Sequence, residues 1–514
     1  MKKVQSTNVE STSTVYEEKK KSMNDEDVLF ALLRTYPISR TDENQIYFRV
    51  KRNGKFVNLE KNSSALMMYL KSRVKEIAGR FPSERTVKNC LDFMDDASAD
   101  QKVEPMRYRV ASVSDSIVYD LQDGNCVVIN SAGWKIVKND FPIFLKAGDE
   151  LPQVTPLYVE DGYNKLDQYL NISPDDRLLL KIYLVACLNP EMTVPCLSVN
   201  GTNGSGKSTL SRIVKKIVDP SANELETLPA SEDDIRVRLS YGHYLVFDNL
   251  STVNQKQSNF LCGVVTGTST SGRVKFSNNG ITTTRLHCGM CFNGITPFFK
   301  RADMAERTLF LTTRLIQGKK RLTDKSIWEN FSKDLPEILG GLFSLYSKTM
   351  KLLGTVDVEN KERLADFHEF GYTVAEAMGG LGAEFNRIMA QNKARQMEVT
   401  CENSTNILLV CDFLKECDGE WKGTMSLLYK DLKNHMQIEN SDDEFKYNAS
   451  IFPKAPNYLS NMLRQYESAL ASKGVRFEIK KNGDGYSEIH FTTDWVIRKP
   501  IIGIKRTPIL SENA

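Results

Sequence analysis

The stretch VPCLSVNGTNGSGKSTLSRIVKKIV (Val194–Val218) passes from an apolar strand through a glycine-rich loop into the start of a helix. Within it, Gly201 to Ser208 match G-x-x-x-x-G-K-S residue for residue. The chemistry explains the residue types. Glycines allow backbone N–H groups to turn inward onto phosphate oxygens, and the helix N-terminus adds the positive end of its dipole. Lys207 is placed to reach the β and γ phosphates and Ser208 to supply a Mg²⁺ ligand. The nucleotide-binding candidates are therefore Gly201, Thr202, Asn203, Gly204, Ser205, Gly206, Lys207, Ser208 and Thr209, and the expected ligands are ATP and Mg²⁺. The bland alternative is a glycine-rich turn ahead of an ordinary helix.

Some forty residues beyond Ser208, YGHYLVFDN supplies a buried strand ending in Asp248, suited to hold Mg²⁺ together with Ser208. Asn249 follows where many ATP-hydrolysing enzymes carry Glu. An amide cannot take a proton, but it can hold the attacking water by hydrogen bonds. A strand-like segment between the two motifs, ELETLPA, points to P-loop ATPases with an extra strand inserted there and away from small-molecule kinases. Further on, LHCGMCFNGI is an apolar strand ending in Asn293, a candidate polar sensor of the attacking water. KRADMAERTLFLTT then brings Arg301 and Arg307 to the next strand, as candidate arginine fingers acting on a neighbouring subunit's ATP; surface pairing with Asp303 and Glu306 is the alternative. Cys288 and Cys291 have no second pair at metal spacing and read as core residues.

Around these motifs the chain divides into six segments. Residues 1–26 are polar and read as a disordered tail. Residues 27–155 form a small α/β domain, with a hairpin turn at Asn53-Gly54 and alternating runs split at Asp123-Gly124 and at Ser131 to Gly133. Residues 156–320 alternate short strands with helices, the pattern of a parallel sheet covered on both faces. Residues 321–400 are helical, with Leu335, Ile338, Leu339, Leu342 and Leu345 on one face. Residues 401–494 run helix, helix, basic hairpin, which describes a winged helix, and 495–514 form a basic tail. The fold class expected is thus α/β and multidomain, around a central P-loop ATPase.

Two basic hairpins are candidates for DNA. TSGRVKFSNNGITTTRL places Arg273 and Lys275 on one strand and Arg285 on the return, ahead of the sensor strand. In the C-terminal segment Arg464 lies on the outer face of the second helix, and Lys480 and Lys481 lie near the hairpin turn. Solvated surface charge is the alternative for each.

At 514 residues, a formal charge of +3 excludes a globally basic nucleic-acid binder, so any DNA contact must be local. Ten scattered cysteines suit a reducing compartment. The apolar run LLLKIYLVACL is short and interrupted by Lys181, so a soluble, cytoplasmic protein without membrane contact is expected.

Together, GTNGSGKST, YLVFDNLS, FNGI, KRADMAERTLFL and RLADFHEFGYTVAEAMG resemble the phage- and plasmid-type ATP-binding proteins of bacterial mobile elements. In organisation the chain is similar to self-loading replicative helicases and Rep-like initiators of staphylococcal-type genomic islands, over about residues 30 to 493. The resemblance implies an AAA+ motor: a homohexameric ring translocating on single-stranded DNA, opening forked DNA, and meeting host replication proteins. It also implies that Arg363 in RLADF is a second sensor reaching the γ phosphate. An ATP-controlled DNA-binding or assembly protein without unwinding activity is the alternative.

Overall fold

The computed structural model describes residues 23–41, 45–98, 103, 106–141, 143–146, 148–251, 253–267, 269–273, 281–286, 288–295, 299, 302–316, 323–356, 358, 363–402, 405–439, 452–481 and 487–495. Two compact units are present, one within 1–298 and 307–390, the other within 299–306 and 391–514.

In the first unit, local chemistry sets the opening elements. The helix Asp25–Leu33 starts inside the stretch expected to be a tail, because the Asn24 side chain accepts from the Asp27 N–H and caps it. Residues 1–22 lie outside the described residues. Asn53 and Gly54 take φ 50° and 79°, the left-handed pair that a tight hairpin demands, and join the antiparallel strands Ile46–Arg52 and Lys55–Glu60. Ser63 caps the helix Ser64–Ala78, whose leucines Leu66 and Leu70 pack with Phe48 and Val50 of that hairpin.

An antiparallel meander follows, Val110–Val113, Ser116–Asp120, Asn125–Asn130 and Gly133–Lys138, paired in sequence order. Two of its three turns fall at the predicted breaks, and the third is the tight turn at Ser114-Asp115, where Ser114 takes φ 51°. The sheet also packs against elements beyond residue 155. Val110, Tyr119, Val127 and Ile129 enter the same apolar cluster as the helices Pro174–Ala186, Lys207–Val218 and Asp324–Leu352. Tyr119 meets the ring of Phe343 at 5.4 Å, and the Trp134 indole donates to Ser344 Oγ at 2.9 Å. Backbone contact is close here too: a side chain at Gly340 would meet the carbonyl oxygen of Leu157 at 1.7 Å.

A buried ionic knot ties the meander to the helix Lys207–Val218. Arg109, fully buried, donates to Asp219 Oδ1 at 3.0 Å and to the carbonyls of Asp120, Leu151 and Pro220. Asp219 Oδ2 accepts from Lys215 Nζ and from the backbone N–H groups of His243 and Tyr244. Burial alone would raise the Asp219 carboxyl, but Lys215 and Arg109 outweigh it and hold it below the usual carboxylate range. Lys181, the charge inside the apolar run, reaches Asp167 and Asn164 at 2.9 Å each.

At the centre lies a four-stranded parallel sheet in the order Tyr244–Phe247, Gly289–Gly294, Cys196–Asn200, Thr308–Thr312. Helices pack against it because every residue of Cys196–Asn200 and Tyr244–Phe247 is buried, as expected of strands covered on both faces. The segment ELETLPA contributes a single parallel bridge, Glu226 to Phe247, and not a full strand. Pro229 cannot donate to a ladder, and the Glu226 carboxylate is held by Arg238. Cys288 and Cys291 are buried in the Gly289–Gly294 region, and burial pushes both thiols up to about 12. The helix Asp324–Leu352 buries the predicted leucine face.

In the second unit, the helices Thr405–Glu416, Met425–Glu439, Pro456–Gln465 and Glu467–Ser472 surround a three-stranded antiparallel sheet, Glu420–Thr424, Ser487–Thr493 and Val475–Lys481 in that order. The expected second helix is interrupted at Tyr466, whose backbone sits at φ −104°, ψ 14°. On its inner face Leu459, Leu463 and Leu470 are buried, with Met462 and Tyr466 half-buried beside them. Among the described residues no helix is long and apolar enough to cross a membrane.

Candidate nucleotide site

The loop Gly201–Gly206 leaves the C-terminal end of the strand Cys196–Asn200 and enters the helix at Lys207. Gly201, Gly204 and Gly206 take φ 151°, 73° and 90°, which explains why glycine occupies these positions. At Gly201 space is also closed: a Cβ would stand 2.2 Å from Thr313 Oγ1 and 2.9 Å from Ser205 Oγ. Ser205, fully buried, braces the loop from inside, its Oγ on the Thr202 carbonyl at 2.7 Å and on Thr313 Oγ1 at 2.6 Å. Thr313 Oγ1 donates in turn to the Asn200 carbonyl at 3.0 Å, and Asn171 Nδ2 donates to the Ser205 carbonyl at 3.0 Å. Thr202, Asn203 and Gly204 are exposed.

Lys207 folds back on this loop, donating to the carbonyls of Gly201 at 2.8 Å and Thr202 at 3.0 Å. Burial lowers its ammonium from the ordinary lysine value, opposed by the nearby Asp248 carboxylate. Ser208 Oγ donates to Asp248 Oδ1 at 3.2 Å. Two residues forty positions apart thus meet as a pair of hard oxygen donors, both partly exposed, the set that suits Mg²⁺. Thr209 is half-buried in the first turn of the helix.

Asn249 stands at φ 57°, so the chain turns sharply after Asp248. That turn is pinned by Asn293. Its Oδ1 accepts from the Asn249 N–H at 2.9 Å, its carbonyl from the Leu250 N–H at 2.9 Å, and its Nδ2 donates to Ser211 Oγ at 3.2 Å. Asn293 is 1% exposed, and its amide is engaged by these protein groups. The Asn249 side chain is exposed and, among the described residues, makes no hydrogen bond. Ser211, Thr313 and Asn171 carry no motif that marks them in the sequence; each is reached only through the fold.

The other predicted residues lie elsewhere. Arg307 precedes Thr308–Thr312, and its carbonyl accepts from the Cys196 N–H at 2.9 Å. The sheet's parallel register therefore places it at the end opposite the loop, about 13–16 Å away by strand rise. It does not join its own chain's site. Arg301 and Lys275 lie outside the described residues. The strands Ser269–Arg273 and Ile281–Arg285 do form the expected hairpin, with Arg273 opposite Ile281 near the tip and Arg285 opposite Ser269 at the base. Arg363 is exposed just ahead of the helix Ala365–Ala377. Arg464 is exposed on Pro456–Gln465; Lys480 is exposed and pairs with Glu478 at 2.8 Å; Lys481 ends the strand Val475–Lys481.

Comparison with known proteins locates the chain. Among solved structures it is similar to the C-terminal region of NrS-1 in an apo A form, at 14% identity over 92% of this chain and 100% of that one, with a TM-score of 0.39. A second apo A form, of NrS-1 residues 305–718, gives 12% identity over 91% and 100%, also at 0.39. No curated protein matches. Two family models do: the actinomycete integrative conjugative element replication protein, RepA, over residues 165–388, and the C-terminal domain of the same RepA over residues 408–500. Together they cover more than half of the chain, loop and Asp248 included, and the chain belongs to this family of mobile-element replication proteins.

Proposed function

We propose that this replication protein is an ATP-dependent DNA helicase, an AAA+ motor that works as a homohexameric ring on single-stranded DNA during replication of its element. The observation that carries the reading is the meeting of Lys207, Ser208 and Asp248 at the mouth of a loop whose three glycines hold positive φ. Among the described residues Lys207 is held by two loop carbonyls, contacts that it can exchange for phosphate oxygens. Ser208 and Asp248 would hold Mg²⁺, which neutralises charge on the β and γ phosphates when bound. The attacking water adds to the γ phosphorus as the bond to the bridging oxygen breaks, giving ADP and phosphate. Asn249 is the exposed amide beside Asp248 for holding that water, and Asn293 positions the turn that carries it.

Arg307, remote from its own loop, is suited to the neighbouring subunit's nucleotide, as is Arg301; Arg363 would act as a second sensor. The hairpin carrying Arg273, Lys275 and Arg285 would line the pore. The second unit has the element order of a winged helix, with Arg464, Lys480 and Lys481 toward DNA and host replication proteins as further partners. A second reading, a nucleotide-controlled assembly protein without unwinding, is favoured by Asn249 in place of a carboxylate base.

The test is hydrolysis stimulated by single-stranded DNA, together with displacement of a labelled strand from a fork. Lys207→Ala is expected to lose nucleotide binding and both activities; a Lys207→Ala protein that still unwinds sinks the proposal. Nucleotide-dependent assembly with neither activity selects the second reading.

A further inference from the structure

Away from the nucleotide loop, the first hairpin and the meander enclose an open cleft of about 110 Å³. One wall is Lys55, Phe56 and Asn58 of the strand Lys55–Glu60, backed by Arg49; the other carries Lys138 and Lys146. The walls are fixed to each other, since Asn58 Nδ2 donates to the Phe144 carbonyl at 2.7 Å. The Lys55 stem lies across Gly124, where an added Cβ would touch its Cγ at 3.6 Å.

Two features of this cleft point to a ligand. Phe56 is 44% exposed, and the Arg49 guanidinium covers it 4.8 Å from the ring centroid, so the aromatic plane is held rigid and open to solvent. Lys55, Lys138 and Lys146 are exposed, and none has a carboxylate within ion-pair distance among the described residues. Two acids lie nearby: Asp120 accepts from the Gln122 N–H and from Asn139 Nδ2, and Asp140 is exposed and acts electrostatically on Arg49. A clamped aromatic face between unopposed ammonium groups fits a polyanion with stackable rings.

We propose that this cleft binds single-stranded DNA, with a base stacked on Phe56 and the backbone phosphates on Lys55, Lys138 and Lys146. An exposed ring beside several ammonium groups is the composition of a strand-tracking groove, in which stacking tolerates any base and charge follows the backbone. The site is independent of ATP hydrolysis, so its test needs no nucleotide.

The experiment is fluorescence anisotropy of a labelled oligo-dT with the full chain, titrated over a range of salt. Phe56→Ala is expected to weaken binding about tenfold at fixed salt, and Phe56→Trp to preserve it. The combined Lys55→Gln, Lys138→Gln and Lys146→Gln variant should reduce the slope of log K against log salt by about 2, from ~0.7 per single-strand phosphate. Its melting temperature should be unchanged, because these lysines make no ion pair. The titration contains no nucleotide, so its outcome does not depend on ATP hydrolysis, which separates this result from the helicase reading. Parental affinity and slope in both cleft variants would overturn the proposal. So would an equal loss on a blunt duplex after Phe56→Ala, since a stacked pair offers no free base face.

Discussion

Asp219→Asn removes one charge from the buried knot while keeping its volume, so no cavity forms and the charge is tested alone. Asp219 accepts four hydrogen bonds, two of them from the cations Arg109 and Lys215, and all three side chains are at most 2% exposed. Breaking a buried pair from one side costs about 3–5 kcal/mol, because the remaining charge is stranded. Here two cations are stranded, but Arg109 keeps three backbone carbonyls and Lys215 keeps that of Tyr244. The expected loss is therefore about 4 kcal/mol, in the middle of that range, or roughly a thousandfold in the folding constant. Urea unfolding followed by the fluorescence of Trp134 and Trp328, both packed against this core, reads it directly. The double variant Arg109→Met with Asp219→Asn should cost less than the sum of the two single changes by more than 1 kcal/mol. A loss under about 1 kcal/mol, or strict additivity, would refute the view that this ion cluster joins the meander to the nucleotide-loop helix.

Stability should also fall with acid in two stages. Burial depresses the folded His243 value, outweighing Asp219, so the unfolded chain binds the proton first; stability drops as pH falls below about 6.5 toward that lower folded value. The Asp219 value is depressed as well, so its contribution is complete above about pH 4 and is lost only as pH falls through the lower folded value. Melting temperatures from pH 8 to 3 check this, and His243→Gln should remove the first stage alone. Gly201→Ala is expected to cost about 2–4 kcal/mol, from the added left-handed strain and the clash with Thr313 Oγ1, and Gly201→Ala with Thr313→Ala should recover part of it in the same unfolding assay. Asn293→Ala leaves the Asn249 N–H without its acceptor, a cost of about 1–3 kcal/mol at the turn. ATP hydrolysis kinetics should then show kcat reduced about tenfold or more with KM nearly unchanged; equal changes in both would count against a positioning role.

What could be read in the chain were features written within a few residues of one another. The loop Gly201–Ser208, the Asn53-Gly54 turn and the leucine face of Asp324–Leu352 depend on backbone permissiveness and on periods of two or 3.6 residues, which neighbours along the chain encode. Local pattern was also where the reading overreached: ELETLPA has strand-like alternation, but Pro229 and the Arg238–Glu226 pair reduce it to one bridge. The packing partners of the meander were not legible for the opposite reason. Alternation identifies the meander's inner face, but only packing shows that Tyr119 and Trp134 turn to Phe343 and Ser344, more than two hundred residues away.

The sequence by itself determined that a loop able to cradle phosphate stands between a buried strand and a helix, with Asp248 on a second strand, because each of these is a local arrangement. Only the tertiary structure decided that Ser208 and Asp248 meet, that Asn293 turns inward to Asn249 and Ser211, that Thr313 closes over Gly201, and that Arg307 lies at the far end of the sheet. Those relations follow from strand order and register, which no periodicity carries: inserting the Asn293 strand between the loop strand and the Asp248 strand brings its amide under the turn, and parallel pairing sends Arg307 away from it.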